Sequence, residues 1–94
     1  MQRMRDIDQV VAALRRRHPE VSVEQRPGAY AAVDETIWFI NLPSTSFEIQ
    51  LESSTGNCPF MIESSLSPER MHAATIGEAI NMVSTMLADH NNAT

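Results

Sequence analysis

The chain's only cysteine, Cys58, lies in the stretch ESSTGNCPFMIESS, directly after a Gly-Asn pair. A cysteine next to such a loop is either an exposed nucleophile or a small apolar residue that opens a strand behind a turn. Nucleophilic chemistry needs a nearby base and a lowered thiol pKa. The nearest histidine in sequence is His72, and no motif links the two residues. We therefore interpret Cys58 as structural and keep a small thiol enzyme as an alternative.

The other residue types that bind metals or transfer protons are scattered along the chain. His18, His72 and His90 have none of the spacings of metal-binding motifs, so we expect no metal and no cofactor. Acid–base catalysis needs carboxylates that converge in a cleft, whereas Asp34 and Glu35 fall in a predicted turn. These patterns predict a protein that is not an enzyme and has no evident small-molecule substrate.

The charge of the chain is negative and unevenly distributed. The formal net charge is −5, although most of the arginines lie in the first eighteen residues. The cluster Arg15–His18 ends the first predicted helix, where cations complement the helix dipole. The acidic remainder argues against a nucleic-acid surface, because phosphate contacts need clustered cations. An acidic surface is compatible with a basic protein partner.

Length and composition predict a single domain over residues 1–94, with fraying at residues 1–4 and 90–94. No apolar run approaches the length of a membrane span, so we expect no membrane insertion. The first residues lack the apolar segment of a secretory signal. A single cysteine cannot form an internal disulfide. Together these features predict a cytoplasmic protein.

Two segments have the periodicity of amphipathic helices. Apolar residues spaced i, i+3, i+4 and i+7 predict a helix from about Asp6 to Arg17, with Asp6 as N-cap and Gln9 completing a capping box. A Thr-x-x-Glu capping box opens a second predicted helix, from Thr75 to about Asp89. Its predicted apolar stripe consists of Ile76, Ile80, Val83 and Leu87. The methionines interpreted as gap-filling core are Met71, Met82 and Met86.

Short segments between the two helices have the patterns of strands and turns. The loop 54–57 contains Gly56 and Asn57, which tolerate the positive φ of a tight loop. Residues 67–69 fit a single helical turn. The predicted strands are residues 21–25, 30–33, 36–42, 47–53 and 58–63.

Counting residues outward from the loops predicts the strand register. A four-residue loop at 43–46 pairs Trp38 with Leu51. A four-residue loop at 54–57 pairs Leu51 with Phe60 and places Cys58 at the start of the core row. A slip of one residue would send every apolar side chain to the opposite face, so the pattern specifies the register. The predicted core row consists of Trp38, Ile40, Leu42, Ile49, Leu51, Phe60 and Ile62.

A second row of apolar side chains is predicted on the opposite face of the sheet. A two-residue turn at 34–35 pairs Tyr30 with Phe39 and Ala32 with Ile37. Tyr30, Ile37 and Phe39 then share the face away from the core. An exposed apolar row of this kind is typical of a partner site. The alternatives are that another part of the protein covers the row or that a bulge shifts the register.

The sequence therefore predicts an α+β fold in two layers. An N-terminal helix, an antiparallel meander of four or five strands and a C-terminal helix follow one another, and both helices cover the core row. We expect a small non-catalytic protein–protein interaction module that forms a homodimer through Tyr30, Ile37 and Phe39. The first alternative is an acidic immunity-, antitoxin- or chaperone-like protein that binds a basic partner protein. The second is a thiol enzyme that uses Cys58.

Overall fold

The computed structural model describes residues 5–27, 36–43, 45–53 and 55–92. It contains an N-terminal helix, a five-stranded antiparallel sheet and a C-terminal helix, which confirms the predicted α+β class. Within these ranges, no helix is long and apolar enough to cross a membrane. The elements in chain order are α1 (Asp6–Arg17), β1 (Ser22–Pro27), β2 (Thr36–Asn41), β3 (Glu48–Ser53), β4 (Phe60–Ser64), β5 (Ser67–Ala73) and α2 (Ile76–Asn92).

The strands form a meander in which each strand pairs with the next one along the chain. Trp38 lies opposite Leu51, as predicted. Between β3 and β4 the register differs, because Leu51 lies opposite Ile62 rather than Phe60. The loop is longer than predicted, since β4 begins only at Phe60. A shift of two residues returns every side chain to the same face, so the assignment of the core row is confirmed.

The predicted partner of β2 on its other edge is wrong. That edge is occupied by β1, with Phe39 opposite Glu24 and Ile37 opposite Arg26. The prediction assigned these positions to residues 30–33, which lie outside the described residues. We predicted residues 30–33 as the partner because a two-residue turn is the shortest connection to β2. Pairing with β1 instead forms a ladder of six residue pairs.

Strand β5 replaces the helical turn that we predicted at residues 67–69. It pairs with β4, placing Ala73 opposite Phe60 and Met71 opposite Ile62. The Ser-Pro-Glu start resembles the first turn of a helix, but no helical apolar stripe follows it. Instead, residues 70–73 alternate between polar and apolar side chains, which is the period of a strand.

Both helices pack on the same face of the sheet, as predicted. Along α2 the buried positions are Ala79, Val83 and Leu87, whereas Ile76 and Ile80 are only partly buried. The buried stripe is therefore displaced from the one that we predicted. The core cluster consists of Ile7, Val10, Leu14, Trp38, Ile40, Leu42, Phe47, Ile49, Leu51, Phe60, Ile62, Ala73, Ala79, Val83 and Leu87.

The ends of α2 are fixed by specific contacts. The Glu78 N–H donates to Thr75 Oγ1 at 3.1 Å, which confirms the predicted cap. The Glu78 carboxylate accepts a hydrogen bond from the Ala74 N–H at 2.9 Å. At the other end the helix continues past the predicted end to Asn92, and the His90 ring stacks on Phe47 with centroids 4.4 Å apart.

Candidate functional site

The loop before β4 binds the first turn of α1. The Cys58 N–H donates to Asp6 Oδ2 at 2.9 Å, and the Asp6 N–H donates to Asn57 Oδ1 at 3.0 Å. The Ile7 N–H donates to the Gly56 carbonyl at 2.9 Å. The first amides of a helix have no partner within the helix. The loop supplies partners for two of them and so fixes α1 against the end of the sheet.

The cap of α1 differs by one residue from the prediction. The N-cap is Arg5, whose N–H donates to Asp8 Oδ2 at 3.1 Å, instead of the predicted pair of Asp6 and Gln9. Asp6 occupies the first helical position, and its carboxylate faces the loop. Sequence alone could not distinguish the two arrangements, because the loop contact lies about fifty positions along the chain.

The loop itself is closed by Ser53 at the end of β3. Its hydroxyl donates to the Asn57 carbonyl at 2.6 Å and accepts the Gly56 N–H at 3.1 Å. Gly56 has a φ of 81°, as expected for a tight loop. Asn57, which also tolerates a positive φ, does not adopt one, since no non-glycine residue among those described has a positive φ.

Cys58 lies in this loop and does not begin β4 as predicted. Partial burial raises the pKa of its thiol, and the hydrogen bond and negative charge of Asp6 raise the pKa further. A helix N-terminus usually favours the thiolate, but here the carboxylate of Asp6 opposes it. This environment favours the neutral thiol and weighs against a nucleophilic role.

A serine, a histidine and a glutamate lie next to one another in space at the C-terminal end of α1. His18 Nε2 lies 3.1 Å from Ser84 Oγ, and His18 Nδ1 lies 3.8 Å from Glu20 Oε1. This order of groups is that of a nucleophile, a base and an orienting acid. No sequence pattern indicates this arrangement, because Ser84 is far from His18 along the chain and belongs to no motif.

The rest of the geometry does not complete a hydrolytic site. Ser84 is internal to α2, where backbone amides are used by the helix and cannot stabilise an oxyanion. The distance between Glu20 and His18 exceeds that of a hydrogen bond, and the Glu20 side chain is 51% exposed. We interpret the Ser84–His18 contact as a hydrogen bond that joins the end of α1 to α2.

Metal binding finds no support in the described part of the chain. No group of three or more His, Cys, Asp or Glu side chains there could hold a metal ion. His72 lies on the sheet opposite Met61, and His90 stacks on Phe47. The three histidines therefore take part in separate local contacts.

The predicted partner row is only partly described. Phe39 and Ile37 alternate with the core residue Trp38 on β2, and Phe39 is not a member of the core cluster. Nevertheless, Phe39 is only 9% exposed, and Ile37 is partly buried. Tyr30 lies outside the described residues. A partner site formed by the three residues remains a prediction.

A methionine-lined groove lies between β5 and α2. Two adjoining depressions, of about 220 and 340 Å³, share Met71, Met86 and Asp89. We call the pair the methionine groove. Its further lining residues are Phe47, Ser64, Leu66, Glu69, Asn81, Met82 and Thr85.

The groove follows from the periodicities of its two walls. On β5, Met71 lies opposite the core residue Ile62 and therefore faces α2, but at the edge of the sheet. On α2, the groove-lining residues are spaced i, i+3, i+4 and i+7, which is one stripe of a helix beside the buried stripe. That stripe consists of Met82, Thr85, Met86 and Asp89.

The groove contains the two large apolar side chains that are exposed among the described residues. Leu66 is 65% exposed and Met71 is 38% exposed. Met82 and Met86 are partly buried against the core, as we predicted for gap-filling residues, but they also line the groove. Met71 is not a core residue. The sequence patterns did not predict this site because they did not predict β5. Only the alternation along β5 places Met71 next to α2.

The opposite edge of the sheet has a groove of different character. There, between α1 and β1, a depression of about 170 Å³ is lined by three polar and three apolar residues: Asp8, Arg15, Gln25, Val11, Val23 and Trp38. Its two charged side chains, Asp8 and Arg15, have opposite signs. Of these two grooves, the one beside β5 has the more apolar lining.

Comparisons with known proteins give no match for this chain. No protein-family model, no curated protein and no solved structure matches it. We therefore infer its function from the arrangement of its own residues.

Proposed function

We propose that the protein is a non-catalytic protein-binding module whose partner site is the methionine groove. The observation that carries the proposal is the exposure of Leu66 and Met71 beside the partly buried Met82 and Met86. Contiguous exposed apolar side chains with a polar rim are typical of partner sites. Methionine side chains are flexible and polarizable, so they adapt to the shape of a bound chain.

The charges around the groove favour a basic partner segment. Glu69 and Asp89 line it, and no arginine, lysine or histidine is among its described lining residues. The chain as a whole has a formal net charge of −5. A partner with apolar side chains flanked by cations would match both properties, and its binding would weaken as salt screens the charges. This corresponds to the alternative of an acidic protein that binds a basic partner.

A second copy of the chain fits the groove less well. Two copies meeting through this surface would bring Glu69 and Asp89 of both protomers together, and like charges at an interface are unfavourable. The homodimer through Tyr30, Ile37 and Phe39 uses a different face and remains a separate prediction.

The non-catalytic part of the proposal is supported by the environment of Cys58. A raised thiol pKa is the opposite of what a cysteine nucleophile needs. A cytoplasmic location completes the proposal and is supported by the single cysteine of the chain.

The test compares two methionines on opposite faces of neighbouring strands. Met71→Lys removes an apolar groove residue and adds a cation that repels a basic partner. Met61→Lys makes the same change on the other sheet face, opposite Glu52. Proteins captured from a lysate of the source organism are purified, and their affinities for both variants and the wild type are measured. Circular dichroism confirms that both variants fold.

We expect Met71→Lys to weaken binding at least about tenfold, which is roughly 1.4 kcal/mol, while Met61→Lys binds like the wild type. Captured proteins that bind Met71→Lys as tightly as the wild type would exclude the methionine groove as the partner site.

A further inference from the structure

The sheet is open along β5. Of the described strands, only β4 pairs with it, and no strand lies on its outer side. Residues 69–72 are all exposed. An edge strand offers a row of backbone groups to which an extended chain can pair. Here that row runs beside the methionine groove.

We propose that the partner binds as an extended strand that pairs with β5 and places alternate side chains in the methionine groove. This inference rests on the proposed function and specifies the conformation and residue pattern of the partner. Strand addition to an exposed edge is an established mode of peptide recognition, in which the backbone supplies affinity and alternate side chains supply specificity.

The register of β5 determines which partner side chains enter the groove. Glu69, Met71 and Ala73 share the face that carries the helices, whereas Arg70 and His72 point to the other face, where Arg70 lies 3.7 Å from Glu63. A strand added beside β5 follows the same alternation. Every second side chain of the partner therefore lies over the groove.

The chemistry of the groove specifies those alternate side chains. An apolar side chain fits against Met71, Met82 and Met86, and an arginine or lysine fits near Asp89. The partner pattern is therefore an apolar residue and a cation two positions apart. The intervening side chains lie on the outer face beside Arg70 and His72, where polar or acidic residues are favoured.

A strand fits this site better than a helix does. A helix could fill the groove with side chains spaced i, i+3 and i+4, but it would leave the backbone row of β5 without a strand partner. An extended chain would form backbone hydrogen bonds with β5 and fill the groove at the same time. The β1 edge has the same open backbone but a polar groove, so the combination occurs only at β5 among the described strands.

The experiment selects ligands from a displayed library of random peptides about ten residues long, enough for one strand with flanking residues. The wild-type chain is the bait, and each selected peptide is then tested on Met71→Lys and on the control Met61→Lys. For the best peptide, a series of variants carries a single N-methyl group at successive backbone amides. N-methylation removes one hydrogen-bond donor at a time.

We expect peptides that bind Met61→Lys like the wild type and Met71→Lys at least about tenfold more weakly, with apolar and basic residues at i and i+2. In an added strand only alternate amides point towards β5, so N-methylation should abolish binding at every second position. Groove-dependent peptides with i, i+3 and i+4 spacing, or with no alternation in the N-methyl series, would overturn the strand and leave the proposed function standing. If no selected peptide distinguishes Met71→Lys from Met61→Lys, both are wrong.

Discussion

Asp6 is one of the groups that raise the pKa of the chain's only thiol. Its carboxylate accepts the Cys58 N–H. Partial burial raises the pKa of the Cys58 thiol above the ordinary value of 9.0, and the hydrogen bond and negative charge of Asp6 raise it further. The sequence pattern predicted the same carboxylate as the N-cap of α1. A short-range pattern identified Asp6 as important but misassigned its partner, because the loop that it contacts is distant in sequence.

Replacing Asp6 tests this effect. In Asp6→Asn the negative charge is lost, so the thiol pKa should fall and the fraction of thiolate at a given pH should rise. Thiol labelling of the folded protein measured against pH should therefore have a midpoint above 9.0 in the wild type and a lower one in Asp6→Asn. Asp8→Asn, which removes a carboxylate paired with Arg5, is the control and should leave the midpoint unchanged. Equal midpoints in wild type and Asp6→Asn would refute the role of Asp6.

The contact between Ser84 and His18 can also be tested by substitution. If their contact is structural, Ser84→Ala should lower the free energy of unfolding by about 0.5–1.5 kcal/mol, the usual net value of one hydrogen bond. A fluorophosphonate probe, which reacts with activated serines, should not label the wild-type protein. Labelling that disappears in Ser84→Ala would show that the serine is activated and that the structural interpretation is wrong.

At the scale of elements, the loop before β4 links the sheet to α1 and depends on Gly56. Its φ of 81° lies in the left-handed region, which costs a residue with a Cβ atom roughly 1–2 kcal/mol. An added Cβ would also lie 2.9 Å from Arg5 Nη1, although that flexible side chain can move.

Gly56→Ala should therefore lower the free energy of unfolding by about 1–2 kcal/mol. The matched control is Gly77→Ala in α2, where the nearest atom to an added Cβ is Thr75 Oγ1 at 4.0 Å. Alanine is favoured over glycine in helices, so this variant should be neutral or more stable by up to about 1 kcal/mol. Chemical denaturation measures both. Equal effects of the two substitutions would contradict the role assigned to the loop.

Sequence patterns predicted the core face of the sheet correctly and failed to predict β5. The alternation of Trp38 and Ile40 with outer residues was enough to predict the core face, because a register shift of two residues in the next hairpin leaves that face unchanged. The patterns failed at β5, where Ser-Pro-Glu resembles a helix start. Its strand conformation depends on pairing with β4, which is a tertiary effect.

At the scale of the whole molecule, the two faces of the sheet are chemically distinct. The helices cover one face, and the other carries Ile37 and Phe39 on β2, with Phe39 between Glu24 of β1 and Gln50 of β3. The predicted homodimer uses this second face. Phe39→Glu should then reduce the solution mass from dimer to monomer, as measured by sedimentation or light scattering. A wild-type chain that is already monomeric, or an unchanged mass in the variant, would contradict self-association through this row.

The candidate site could be predicted only in part. The methionines of α2 are visible in the sequence, and their helical spacing follows from the apolar stripe. Met71 and Leu66 could not be placed, because their exposure depends on β5 lying at the edge of the sheet. The groove lies between the edge strand β5 and α2. Tertiary packing brings these two elements together, and no local sequence pattern predicts their contact.

A partner that occupies the methionine groove would contact the methionine methyl groups, which therefore report directly on its binding. The protein is prepared with labelled methionine methyl groups, each signal is assigned by substitution, and the peptide selected from the displayed library is added. We predict that the NMR signals of Met71, Met82 and Met86 shift on binding, because these residues line the groove, whereas that of Met61 on the opposite face does not. A peptide that binds and shifts Met61 but leaves the three groove signals in place would contradict the claim.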